Sequence, residues 1–250
     1  MRPVSKGNAP TGVVFTNYRE SFDYLLDRIG IGEYKNIKLA QYCSYCERVI
    51  STNLAVEHIE PKKGPYAQPH LENSWINFLL ACVNCNSQKG SKHIQFDKLY
   101  FPDRDNTFYA FEYSYNGEVS PNATLSHAQK IIAQETIDLV GLNEPIDTDV
   151  DGVAKDRRTQ RLNAFALALD SLEDLKSDPQ NQAIQNLIVK GMLTSGYFSI
   201  WMKVFEGYPH IRNMFIDSIR GTRQSGCFDE HGNIRHPHPN PDNLQLGGKI

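Results

Sequence analysis

Cys43-Ser-Tyr-Cys46-Glu-Arg48 opens, and Cys82-Val-Asn-Cys85-Asn86-Ser-Gln-Lys89-Gly-Ser-Lys92 closes, the stretch that decides the fold. Between them lie Val56-Glu57-His58-Ile59 and Trp75-Ile-Asn77. The two Cys-x2-Cys knuckles, 35 residues apart, supply four thiolates at a spacing that suits one tetrahedral zinc. A purely structural zinc ribbon would need nothing more. Here an adjacent Glu57-His58 pair, Asn77 and Asn86 stand in fixed relation to the cysteines, and together they read as a hydrolytic site held open by a zinc staple.

The bulk composition fits that reading. A chain of 250 residues, 40% hydrophobic and 22% charged, is long enough to bury a core and has the balance of a globular protein. The opening Met-Arg-Pro-Val-Ser-Lys-Gly leads into no apolar stretch, and no run of apolar residues would span a bilayer, so a cytoplasmic location is expected. In a reducing compartment a Cys-x2-Cys pair points to metal and not to a disulfide, which leaves Cys227 as an inert thiol. A net charge of -3 argues against a general nucleic-acid coat, but residues 35–104 hold nine Lys/Arg against six Asp/Glu. A small basic face on an acidic body suits brief phosphate contact at one site.

Outward from the motif, residues 1–37 read as an extended arm followed by a helix from Tyr18 to about Ile29 that Gly30 to Gly32 stops. Residues 38–104 form the core: a strand over Leu54 to Ile59 delivering Glu57 and His58, a Lys/Gly/Pro loop over 61–69, a returning strand over Asn77 to Ala81, a sharp turn at Cys82 to Cys85, and a helix from Asn86 to about Lys92. Residues 105–222 open with a hairpin, Thr107 to Tyr115, turned by Asn116-Gly117. They continue as helices with apolar faces at Ala128, Ile131, Ile132 and Leu139, and at Leu162, Phe165, Leu169 and Leu172; Ser177-Asp178-Pro179 reads as a helix start. The stripe from Tyr197 to Phe205 reads as core, with a partner groove as the alternative. Residues 223–250 read as a tail, poorly ordered from about 235. The fold class is α+β, with a mostly α-helical C-terminal portion.

Phosphodiester hydrolysis needs a base for water and a hard cation on oxygen ligands beside the phosphate. His58 is the candidate base. Glu57 and Asn86 offer carboxylate and carboxamide oxygen, a set that selects Mg2+ or Mn2+ as the catalytic cofactor, while Cys43, Cys46, Cys82 and Cys85 hold structural Zn2+. Asn77, able to donate and accept, can tie strand to loop and hold the base in register. Lys62, Lys63, Lys89 and Lys92 are candidate phosphate contacts.

This constellation resembles the HNH family, the ββα-metal or His-Me finger endonucleases, in its variety with a four-cysteine zinc site. Glu57-His58 stands for the family's acidic-His pair, Asn77 for its middle Asn, and Asn86 for its last position, where many members have His; many also have Asp in place of Glu57. The likeness covers roughly residues 40–95. A narrower likeness, carried by the opening heptapeptide, Cys-Ser-Tyr-Cys-Glu-Arg, Ala-Val-Glu-His-Ile-Glu-Pro-Lys and Asn-Phe-Leu-Leu-Ala-Cys-Val-Asn-Cys-Asn-Ser, is to the HNH subunits of Septu-type and retron-linked anti-phage systems, the PtuB nucleases. It implies a defence role, nucleic acid as substrate with DNA favoured over structured RNA, and an ABC-type ATPase partner, PtuA-like.

Other titratable groups read more plainly. His70 and His93 suit solvated loops, His231, His236 and His238 a loose tail, and Lys155, Arg157, Arg158 and Arg161 a solvated helix face that could also meet nucleic acid or the ATPase. The competing reading of the whole chain is an inactive adaptor whose zinc module binds nucleic acid or the ATPase.

Overall fold

The computed structural model describes residues 1–144 and 157–250; Lys155 lies outside the described residues. Three two-stranded antiparallel sheets and eight helices follow one another in sequence among them. β1 (Ile31–Tyr34) pairs with β2 (Ile37–Gln41), β3 (Ala55–His58) with β4 (Phe78–Ala81), and β5 (Phe111–Tyr113) with β6 (Val119–Pro121). The helices are α1 (Phe22–Leu25), α2 (Val83–Lys89), α3 (Thr107–Ala110), α4 (His127–Leu139), α5 (Arg157–Ser177), α6 (Gln182–Ser195), α7 (Phe198–Val204) and α8 (Pro209–Ser218).

The lead-in helix runs from Tyr18 to Gly30 but tightens and widens along its length, with only its middle turn α-helical. It hands directly into β1 because Gly30 must pass the Leu80 side chain, where an added Cβ would lie 2.5 Å from Cδ1. In β3 and β4 the register pairs Glu57 with Leu79 and His58 with Phe78, and all four residues of β4 are buried. α2 starts at Val83, ahead of the expected Asn86: Cys82 and Cys85 sit on one helical turn, so the second knuckle is the helix start and not a turn before it.

The hairpin is shorter than the aromatic run suggested. Asn106 accepts from the Tyr109 N–H and coils Thr107–Ala110 into α3, and of the Asn116-Gly117 pair only Gly117 has positive φ (+79°). α4 starts at a capping box of Ser126 and Gln129, and buries Ala133, Thr136, Ile137 and Leu139 while Ile131 is exposed. α5 buries Ala164, Phe165, Ala168 and Leu175, leaving Leu162 and Leu169 more than a third exposed. Small alanines let α5 approach α7 closely, so its packed face is the one with less apolar bulk. Pro179 does not start a helix: Asn181 accepts from the N–H groups of Ala183 and Ile184 and sets the start of α6.

The N-terminal arm carries no helix or strand over residues 1–10, in keeping with an extended arm, but its start is buried, and the tail differs from expectation. Met1 and Val4 are fully buried, Arg2 donates to the Ile29 carbonyl at 2.6 Å, and buried Lys6 bonds the Phe78 carbonyl at 2.7 Å and Asp103 at 2.8 Å. The arm is therefore threaded through the core behind β4. The last residues also pack: Asp242 accepts from the N–H groups of Lys6 and Gly7, the Gly248 N–H bonds the Arg104 carbonyl, and His238 and Ile250 are each 2% exposed. Polar side chains of this Asn- and Asp-rich tail satisfy backbone groups of the core, which supplies the order its low hydrophobicity does not.

Candidate active site and zinc centre

The four Cys sulfurs lie within 4.8 Å of one another and are buried. Cys46 and Cys82 Sγ are 3.8 Å apart, which matches the ~3.8 Å edge of a tetrahedron with zinc–sulfur bonds of about 2.3 Å. None of the five cysteines is in a disulfide. The donor set and its spacing fit a closed structural zinc. Arg157 Nη1 approaches Cys85 Sγ at 3.5 Å, and the Arg157 guanidinium also donates to the Val140 and Gly141 carbonyls; Arg161 donates to the Leu142 carbonyl at 3.0 Å. Both arginines are buried pins between α5 and the residues after α4, so among the described residues the solvated-face reading holds for Arg158 alone.

At the end of β3 and along α2, a cleft of about 270 Å³ is lined by Tyr18, Glu57, His58, Lys62, Asn86 and Lys89, with Lys63 also on its wall. Adjacent strand residues normally face opposite ways. Glu57 and His58 share this cleft because it wraps the end of β3. His58 Nε2 is 2.8 Å from the Glu72 carbonyl oxygen, which can only accept, so Nε2 carries the proton and Nδ1 is left with its lone pair. Tyr18 and Phe78 meet the imidazole edge to face at 4.7 and 5.3 Å. Burial lowers the His58 pKa and the Glu72 carbonyl bond raises it, with a net shift downward.

Asn77, 3% exposed, accepts from the Glu60 N–H at 2.7 Å and donates to the Glu60 carbonyl at 3.0 Å. Its amide therefore clips the start of the 60–71 loop to the residue before β4, two residues beyond His58. It lies behind the cleft and does not line it.

Glu57 is 2% exposed, and burial pushes its pKa up to about 7 against the opposing pull of the Lys89 ammonium. Lys89 Nζ is 3.0 Å from Glu57 Oε1, yet that oxygen has no aligned hydrogen bond. Lys89 is itself buried, so it is a counter-charge on the cleft floor and not an outward phosphate contact. Glu57 and the Asn86 carboxamide both line the cleft and offer the oxygen donors that a hard divalent cation takes, with the Lys89 ammonium standing at Glu57 Oε1. Lys62 lies 3.4 Å from the centre of the Tyr18 ring and 3.7 Å from Glu72, and Lys63 is exposed at the mouth. Lys92 is elsewhere: it reaches the Leu139 carbonyl and lines a different cavity, against α4, because α2 ends at Lys89.

Residues 43–92 match the HNH endonuclease family. The match runs from the first knuckle cysteine to Lys92 and takes in both knuckles, β3, β4, α2 and the cleft. The chain is also similar to a retron Vc95 protein of Vibrio cholerae serotype O1 biovar El Tor that carries the name of a putative HNH endonuclease. They are 32% identical over 112 residues, 42% of this chain and 53% of that protein. The match thus spans about half the length of this relative. Among the described residues no helix is long and apolar enough to cross a membrane.

Tyr18 and Glu72 were not among the sequence candidates. Tyr18 lies 40 residues before His58 in a segment that reads only as helix, and Glu72 acts through its backbone oxygen, which carries no residue signature.

Proposed function

We propose that this chain is a metal-dependent endonuclease of the HNH type, hydrolysing phosphodiester bonds of nucleic acid. The observation that carries the reading is the single cleft in which Glu57, His58 and Asn86 meet beside a buried four-cysteine cluster. With Nε2 fixed as donor to Glu72, Nδ1 of His58 is the base that takes a proton from water. Glu57 and Asn86 would hold Mg2+ or Mn2+. Bound there, the cation supplies charge neutralisation at the phosphate and the departing oxygen. Lys62 and Lys63 hold the phosphate backbone at the mouth, and Asn77 positions the base through the loop. The ββα-metal core, stapled by zinc, is the fold this reading assigns to β3, β4 and α2.

DNA is the favoured substrate and structured RNA the alternative, since the chemistry is indifferent to the sugar unless the 2′-hydroxyl is sensed. The similarity to a retron protein supports a role in anti-phage defence, and the Septu-type, PtuB-like assignment with an ABC-type ATPase partner is the finer form of that proposal.

The test is to give the purified, zinc-assayed chain plasmid, single-stranded DNA and tRNA with Mg2+ or Mn2+, with and without the ATPase. A nuclease cuts at least one of them. An adaptor would contain one zinc per chain and cut none.

A further inference from the structure

A second cavity lies between α3, β5, α7 and α8, formed by residues outside the HNH segment. Its volume is about 370 Å³, within the range of small-molecule sites, and Phe108, Phe111, Met202 and Ile234 give it apolar walls. Arg212, on the first turn of α8, lines it and is 6% exposed. Among the described residues no hydrogen bond or ion pair reaches its guanidinium, and Nε is fully enclosed without an acceptor. Burial lowers its pKa, while Glu206 and Asp229 pull it up from a distance. A donor nitrogen shut away from water with no acceptor is a net cost to the fold. An acceptor from outside the chain would relieve that cost.

Among the described residues, four other polar groups on the cavity wall, Lys203, Ser199, Asn122 and Thr124, are already engaged. Lys203 donates to Glu112 at 3.0 Å and to the Tyr113 carbonyl at 2.8 Å, Ser199 donates to Glu47, and Asn122 bonds the Tyr109 carbonyl and Thr124. Arg212 is the uncommitted donor, and exposed Glu206 at the rim adds negative charge. One free cation on an apolar wall, with Glu112 and Glu206 nearby, favours a single negative charge on an apolar body and disfavours a polyanion.

We propose that this cavity binds a small amphipathic monocarboxylate, its carboxylate on Arg212 and its apolar body against Phe108, Phe111 and Met202. The proposal does not rest on the nuclease reading, and either can fail alone.

The test is ligand-observed NMR and calorimetry on the zinc-loaded full chain with phenylacetate, its uncharged isostere phenylacetamide, and inorganic phosphate. Phenylacetate should bind saturably, and the amide at least about tenfold more weakly, having lost a charge-assisted pair. Arg212→Gln should abolish phenylacetate binding. Ala123→Trp, at an exposed position on the cavity wall, should also abolish it with Arg212 intact, so the test stands even if the arginine variant does not fold. Absence of saturable phenylacetate binding, equal binding of the amide, phosphate binding as tightly as phenylacetate, or unchanged binding by a folded Ala123→Trp protein would each overturn the proposal.

Discussion

Lys89 shows how one side chain can carry the right charge for one role and the right surroundings for another. In sequence it stands three residues after Asn86, where a lysine reads as a phosphate contact; in the structure it is 1% exposed and 3.0 Å from Glu57. Removing it leaves a buried carboxylate without a counter-charge. Lys89→Met should therefore destabilise the protein by about 2–3 kcal/mol, against less than ~0.5 kcal/mol for a surface lysine. Adding Glu57→Gln to it should recover a large part of the loss, as denaturant melts of the two singles and the double would show. Additive losses in the double variant would mean that the two groups do not interact. The sequence singles out positions 57, 58, 77 and 86, and the structure brings Glu57, His58 and Asn86 to one cleft with Asn77 outside its lining. Lys89's burial was not legible, because nothing in Cys-Asn-x-x-Lys-Gly states that the helix packs its lysine against β3. The partner of His58, a backbone oxygen, could not be read from any residue type.

At the scale of elements, the knuckles and strands were legible because metal spacing and short apolar runs are local signals. The start of α2 was misplaced by reading Cys82 to Cys85 as a turn, and the faces of α4 and α5 because alanine and threonine, not the bulkier leucines and isoleucines, fill much of the packed side. Since Cys82 and Cys85 lie at and just inside the start of α2, a metal held by the four-cysteine cluster would anchor the helix that carries Asn86 and Lys89. Cys82→Ser should lose zinc by elemental analysis and fail to fold, not merely cut less. A soluble, zinc-free, active Cys82→Ser protein would contradict that coupling. The tail gives a prediction in pH. His238 Nδ1 accepts the Asn240 N–H, and burial lowers the His238 pKa from 6.5 to about 4. Between those values the unfolded chain binds a proton that the folded one does not, so this contribution is complete above pH 6.5 and is lost as pH falls towards 4. At about 1.4 kcal/mol per pH unit it reaches at most ~3 kcal/mol. His238→Gln should flatten the fall in stability across that window, measured by urea melts; an unchanged slope would show that other groups cause it.

Across the whole molecule, the N-terminal arm that composition marks as extended and the C-terminal tail that it marks as loose both pack against the core. Lys6 and Asp103 form a buried pair behind β4, and Asp242 holds the arm from the far end of the sequence. These contacts link residues almost the full chain apart and depend on where the fold places backbone donors, information that no local pattern contains. α2 carries Cys85 of the cysteine cluster and Asn86 and Lys89 of the cleft, so the candidate scaffold and the candidate chemistry share a support. That arrangement predicts that the catalytic group can be removed without disturbing the scaffold. Plasmid cleavage by the His58→Ala protein in Mn2+, with zinc content and melting temperature checked against the parent, measures this directly. Loss of cutting with zinc and fold retained is the expected result; undiminished cutting by the folded variant would contradict the assignment of His58 as the base.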